Sequence, residues 1–259
     1  MEFAQFMPAL MQPILNDANL SLDFRMENAD LPTTTDNMSL KVKVKGLGEQ
    51  RVSLNTENLV KKTGAFALIQ QVSENMGTAF APYVEPLMPI VINHMTFDHS
   101  KAIKKLALKS FTNLLVAAGE PQNVQMNQES FNLYTEQLGK ALARHDEKGA
   151  KIMIKGLANN LRALNKHNTT RRDFLTQAQI DSLGPLIKST CDLVASVKSA
   201  TKIVLGQTKK NYELDEEDVE KIKDDLAKMT TVTTQVMELT GQLVEIFKDQ
   251  AEPTVKAGA

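Results

Sequence analysis

Apolar residues return at steps of three and four along most of the chain, the spacing of one face of a helix with 3.6 residues per turn. Between 99 and 118 that face reads Ile103, Leu106, Ser110 or Phe111, Leu114 and Ala118; between 146 and 166 it reads Ala150, Met153, Leu157, Leu161 and Leu164. From 216 to 248 the run Val219, Ile222, Leu226, Met229, Val232, Val236, Leu239, Leu243 and Phe247 keeps the pattern for about nine turns. A further long helix is predicted from Thr176 to about Lys210. Thr176 followed by Gln179 has the spacing of a capping box, in which each side chain satisfies the other residue's orphan amide. Gly184-Pro185 is expected to kink or restart that helix.

The stretch 18–56 breaks the helical period. There Lys41, Lys43 and Lys45 alternate with Val42 and Val44, which predicts a small exposed hairpin or extended insertion with the three ammonium groups on one side. Such a stripe reads as the solvated face that keeps an edge strand from pairing with other chains, in preference to a grip on an acidic partner. Elsewhere breakers fall at Gly77, at Gly119-Glu120-Pro121 and at His167-Asn168-Thr169-Thr170, so the helices are joined by short connections and neighbours should run antiparallel.

The chain also resembles itself. FAQFMPALM beginning at Phe3 matches FAPYVEPLM beginning at Phe80, 77 residues later, with Phe6 opposite Tyr83. Each copy is a proline-studded helix followed by a proline-free one, and a two-helix unit of roughly 40 residues is the HEAT or armadillo period. The expected fold is therefore all-α: an α-α superhelix, a HEAT-repeat solenoid of about four helix pairs with one extended or hairpin insertion. The pairs would be 2–17 with 57–76, 78–97 with 99–118, 121–144 with 146–166, and 176–210 with 215–248, and 18–56 would be inserted within the first. Stacked pairs share a core and leave a concave and a convex surface for partners. Segment 1–17 is strongly apolar and suits a preceding repeat, as in a piece of a longer array.

Composition agrees with helices and narrows the function. Of 259 residues 42% are apolar but only 5% aromatic, with no Trp and 12 Met, so packing rests on aliphatic side chains and Met. Thirty basic and 31 acidic residues leave a net charge of −1, which provides no field for nucleic acid or a membrane surface. No run approaches a membrane span, and Pro8 and Pro13 interrupt an amino-terminal stretch that lacks the basic start of a signal peptide. Asn-x-Ser/Thr matches at Asn19, Asn37 and Asn168 are then chance matches, and the chain reads as soluble and intracellular. Cys191 is the sole cysteine and falls in an apolar helical pattern, where a buried, inert thiol is expected.

Catalytic and metal patterns are missing. His94, His99, His145 and His167 are scattered, and the closest two are five apart and off a common helical face. There is no HExxH, no phosphate-binding loop and no nucleophile elbow, and G-L-G at Gly46 continues as E-Q-R. Asp224-Asp225 reads as a solvated pair, and Arg171-Arg172 as a surface loop. No enzyme activity, cofactor or metal is expected. The densest charge cluster is Glu213, Asp215, Glu216, Glu217, Asp218 and Glu220. It is the candidate partner-binding site, attracting a basic protein segment, although the reading as the acidic first turn that a helix dipole favours comes ahead of that one.

One resemblance sharpens this. FAQFMPALMQPIL, followed by KGLGEQRVSLNTENLVKKTGAFALIQQVSENMGTAFAPYVEPLMPIVI, resembles the middle of the importin-β (karyopherin-β) superfamily of nuclear import receptors, in its importin-5-like branch. The matching order is a proline-rich first helix, a connection with an L-G-x-Q-like turn at Leu47-Gly48-Glu49-Gln50, and a second helix. Over 121–250 the likeness is one of layout, with the acidic break YELDEEDVEK between two long helices. The resemblance implies protein cargo with a basic localisation signal on a concave surface, Ran-GTP and Phe-Gly nucleoporins as partners of the full-length receptor, and shuttling between cytoplasm and nucleus. The alternative is a HEAT or armadillo scaffold subunit of a phosphatase or trafficking complex. A helical-bundle enzyme would need a polar pocket that these motifs do not advertise.

Overall fold

The structure, a computed structural model, describes residues 5–22, 24–28, 37–44, 48–211 and 216–248. The chain forms two compact units, Met1–Ala117 and Ala118–Ala259.

The first unit opens with α1 (Met7–Ala18), which buries Met7, Met11, Ile14 and Ala18 at helical spacing. Pro8 in its first turn removes an amide that would lack a partner anyway. Strands β1 (Phe24–Asn28), β2 (Asn37–Val44) and β3 (Gly48–Asn55) follow as an antiparallel sheet in the order β1-β3-β2. Lys41 and Lys43 therefore lie on an edge strand, and Lys45 falls outside the described residues. The register aligns Phe24, Leu54 and Met38 in one row and Met26, Val52 and Leu40 in another, with Glu27, Arg51 and Lys41 in a third.

β3 runs directly into α2 (Thr56–Met76), which packs on α1. Its inner side carries Ala65, Phe66, Ile69, Met76 and two polar residues, Lys62 and Ser73, while Val60 and Leu68 stay 70% and 48% exposed. Gly77, at φ +52, ends the helix in the left-handed region that favours glycine. The sequence suggests one helix over 78–97, but the chain makes a 3-10 segment, Gly77–Tyr83, and then α3 (Val84–Met95). Pro82 has no amide to give to an α-helical ladder, and the tighter turns bury Phe80 with its ring 5.4 Å from that of Tyr83. α4 (Lys101–Ala118) buries Ile103, Ser110, Phe111 and Leu114 as expected, with Leu106 partly covered. Asn113 on α4 donates to the Gln70 carbonyl at 3.0 Å and to Ser73 at 3.1 Å, tying α4 to the end of α2.

Lys62 is the main polar contact inside this unit. Only 4% exposed, it donates to the Ala18 carbonyl at 2.6 Å and meets His94 Nε2 at 2.7 Å. His94 Nδ1 lies 2.7 Å from the Ile90 carbonyl. A carbonyl can only accept, so the proton sits on Nδ1 and Nε2 is free to accept from the ammonium. Among the described residues no carboxylate pairs with Lys62; its charge faces the open carbonyl end of α1 and, at 5.8 Å, the ring of Phe97. Burial pushes the Lys62 pKa down. Burial also lowers that of His94, with the Lys62 charge adding to the effect and the Ile90 bond opposing it.

The second unit consists of α5 (Gln122–Ala143), α6 (Glu147–His167), α7 (Gln177–Asn211) and α8 (Glu216–Phe247). α6 packs between α5 and α8, and α7 packs on α5 and α8. Asp146 caps α6 by accepting from the Gly149 amide at 3.0 Å, and Ala150, Met153, Leu157, Leu161 and Leu164 are all buried. Between α6 and α7, residues 168–176 run without regular structure, and side chains of α5 bond both their side chains and their backbone. Asn123 exchanges two hydrogen bonds with Asn168, at 2.8 and 3.1 Å, Asn127 donates to the Phe174 carbonyl at 2.9 Å, and Gln128 donates to the Asp173 carbonyl at 2.6 Å.

The capping box forms: Thr176 N donates to Gln179 Oε1 at 3.0 Å, and Gln179 N to Thr176 Oγ1 at 3.3 Å. The helix does not restart at Gly184-Pro185, and α7 runs through it. Pro185 is exposed, so its ring and the carbonyl it leaves unbonded face solvent, while Leu183, Gly184 and Ile187 stay buried on the other side. Cys191 also departs from expectation. It lies one position off the buried Thr190, Leu193 and Val194 and is exposed. Desolvation and then the charge of Asp192 raise its pKa, which favours the protonated, poorly nucleophilic thiol.

Candidate partner-binding surface

The acidic cluster falls at the start of α8. Glu213 and Asp215 lie outside the described residues, Glu216 and Asp218 are placed in the first helical turn, and Glu217 and Glu220 are exposed. Their position agrees with both readings of the sequence, since carboxylates at a helix amino terminus meet the positive end of its dipole.

Folding brings together a second polar group that no local pattern announces. α6 and α8 lie side by side, and a row of polar side chains crosses from one to the other. Arg162, hydrogen-bonded to Asn159 at 3.2 Å, forms an ion pair with Glu238. Three residues on, Asn165 donates to Glu245 at 3.0 Å, and Gln242 reaches the same carboxylate at 3.4 Å. Arg172 closes the row by donating to the Asn165 carbonyl at 2.6 Å. Two buried acceptors on α8, Gln235 Oε1 and Gln242 Oε1, have no protein hydrogen-bond donor. The row thus brings side-chain amides, two guanidiniums and two carboxylates together on and beside neighbouring helices, a pattern able to bond an extended polypeptide backbone and a cationic side chain. The residues that meet are 76 and 80 positions apart, so spacing along the chain could not reveal them.

Among the described residues no three His, Cys, Asp or Glu side chains converge as metal ligands, and no helix is long and apolar enough to cross a membrane. His94 and His99 do approach one residue, Phe97, at ring distances of 5.2 and 5.3 Å, as an aromatic cluster. Asn160 donates to the hydroxyl of the buried Tyr134 at 3.0 Å, and burial holds that phenol strongly protonated.

No protein-family model and no curated protein sequence matches the chain. Solved structures do. A triple mutant of Kap121p, with three acidic residues changed to lysine, superposes with a TM-score of 0.72 at 12% identity over 98% of this chain. The karyopherin Kap121p bound to the extreme C-terminus of the protein phosphatase Cdc14p gives 0.69 at 14% over 99%, and Kap121p bound to Pho4p gives 0.61 at 15% over 98%. The chain spans between 22% and 26% of the length of those Kap121p chains. At such identities the likeness is one of fold: the chain has the α-α superhelical fold of the karyopherins.

Proposed function

We propose that this chain is part of a nuclear transport receptor and binds protein cargo on the surface of its second helices. The supporting observation is the superposition on Kap121p, with a TM-score of 0.72 across 98% of the chain. Kap121p is described in complex with the Cdc14p tail, Nup53p, Pho4p, Ste12p and the SUMO protease Ulp1p, all proteins, which favours protein partners for this chain as well. The four helix pairs inferred from the sequence would act as consecutive repeats of one array. The row Arg162, Asn165, Glu238, Gln242 and Glu245 would hold an extended segment, and the acidic run from Glu213 to Glu220 would attract its basic residues. Such steering raises association rate and selectivity more than final affinity. Ran-GTP, Phe-Gly nucleoporins, the importin-5-like branch and shuttling between cytoplasm and nucleus belong to the same proposal.

The test is capture of proteins from cell extract on the gene product that contains this chain, with and without Ran locked to GTP. Release of basic cargo by Ran-GTP supports the receptor. A partner set indifferent to Ran, and to reversal of Glu217 and Glu220 to lysine, would leave a HEAT scaffold of another complex.

A further inference from the structure

We infer that Thr170 is a phosphorylation site, and that a phosphate there opens the contact between the start of α5 and the segment that follows α6. At present a carboxylate occupies the place where an anion would bind. Glu120 accepts the amides of Thr169, Thr170 and Arg171, the last at 3.1 Å and Thr170 at 3.2 and 3.4 Å through its two oxygens. It also accepts the Thr170 hydroxyl. Successive amides converging on one carboxylate form a nest for negative charge, filled by the chain's own side chain. The Thr170 bond, before the backbone ones, draws the Glu120 pKa below the usual carboxylate range, so Glu120 is ionised there at neutral pH.

The modification requires only an accessible hydroxyl and a nucleoside triphosphate with a protein kinase. Thr170 Oγ1 bonds to the γ-phosphorus, the bond to the β-phosphate oxygen breaks, the nucleoside diphosphate leaves, and the hydroxyl proton passes to the kinase base. Residues 169–173 are exposed and outside any helix.

The product is incompatible with the present contact. Thr170 Oγ1 loses the proton it gives to Glu120, and a group of about −2 charge stands beside the carboxylate. The phosphate can take the nest amides itself and attract its two neighbours, Arg171 and Arg172. Arg171 now pairs with Asp173, and Arg172 holds the Asn165 carbonyl. Glu120 is expelled, and the Asn123–Asn168 pair is left to hold the start of α5 to residue 168 without it.

The experiment uses the intact chain. It is incubated with ATP and fractionated cytosolic kinases, modified positions are mapped by mass spectrometry, and hydrogen exchange is compared for the unmodified protein, the Thr170-phosphorylated protein and Thr170→Val. Phosphate is expected on Thr170. It should speed amide exchange in the first turns of α5, which lose the Glu120 anchor, by roughly tenfold, the scale of one charge-assisted contact set, while the nest amides of 169–171 stay protected by the phosphate. Thr170→Val, which loses the bond without adding charge, should change exchange far less. In Glu120→Gln the phosphate should have a reduced effect. Absence of phosphate at Thr170 while other hydroxyls are modified overturns the inference. So does unchanged exchange in the phosphoprotein, or an equal response in Glu120→Gln. These readouts need no partner, so they stand apart from the receptor proposal.

Discussion

Lys62, on α2, donates to the carbonyl of Ala18, the last residue of α1, across 44 positions of sequence at a distance of 2.6 Å. An ammonium at the carbonyl end of a helix satisfies an orphan acceptor and meets the negative end of the dipole. His94 turns its one free acceptor to the same ammonium.

Replacing Lys62 by Met keeps the stem and removes the donor. Two acceptors then lose their partner at once, which costs about 1–3 kcal/mol even though a buried charge is removed. Chemical denaturation should show this loss, and hydrogen exchange should place it in 7–18. A variant as stable as the parent would mean that the charge costs as much as its bonds return.

The same cluster sets an acid dependence. In the unfolded chain His94 titrates near 6.5, and in the fold its pKa is lower. The unfolded state therefore binds more protons in the window below 6.5, so stability is full above it and falls as pH drops through the folded pKa. Stability measured from pH 7.5 downward should decline from about 6.5, and His94→Gln should flatten that part of the curve.

Two glycines should respond oppositely to alanine. At Gly149 a Cβ would lie 2.5 Å from Asp146 Oδ2 and 3.2 Å from Ala141 Cβ, whereas at Gly139 nothing lies within 4 Å. Gly139→Ala, inside α5, should stabilise by about 0.5–1 kcal/mol through helix propensity. Gly149→Ala receives the same gain but pushes the capping carboxylate off its amide, a loss of about 0.5–2 kcal/mol, and it must also displace Ala141. Thermal melts should rank Gly139→Ala above the parent and Gly149→Ala below it.

Core truncation gives the largest effect. Phe111 on α4 is fully buried, and Phe111→Ala should cost about 3–5 kcal/mol by loss of burial and the cavity it leaves. Denaturant midpoints of the two variants should put Leu106→Ala, on the same helix and only partly covered, well below that cost.

Legibility followed how one-sided each helix is. All five residues of the expected face of α6 are buried, because that helix has a single apolar stripe and a capped start. α2 is harder to read, since Lys62 and Ser73 point inward while Val60 and Leu68 lie outside. The register of the repeat was visible but its packing was not. Leu10 and Leu87 occupy matching positions, yet they are 39% and 0% exposed. Of the candidate surface, the acidic run is visible as charge along the chain. The row from Arg162 to Glu245 exists only once α6 and α8 meet.

The sheet between the first two helices also bears on how quickly they find each other. Joining α1 to α2 across residues 19–55 would, for a floppy excursion, carry a closure entropy that grows with the logarithm of its length. Pairing Phe24 with Leu54 brings the two ends of that excursion together. Once the strands have paired, the helices meet as if joined by a connection of a few residues, and the contact between Lys62 and Ala18 becomes, in kinetic terms, a local one.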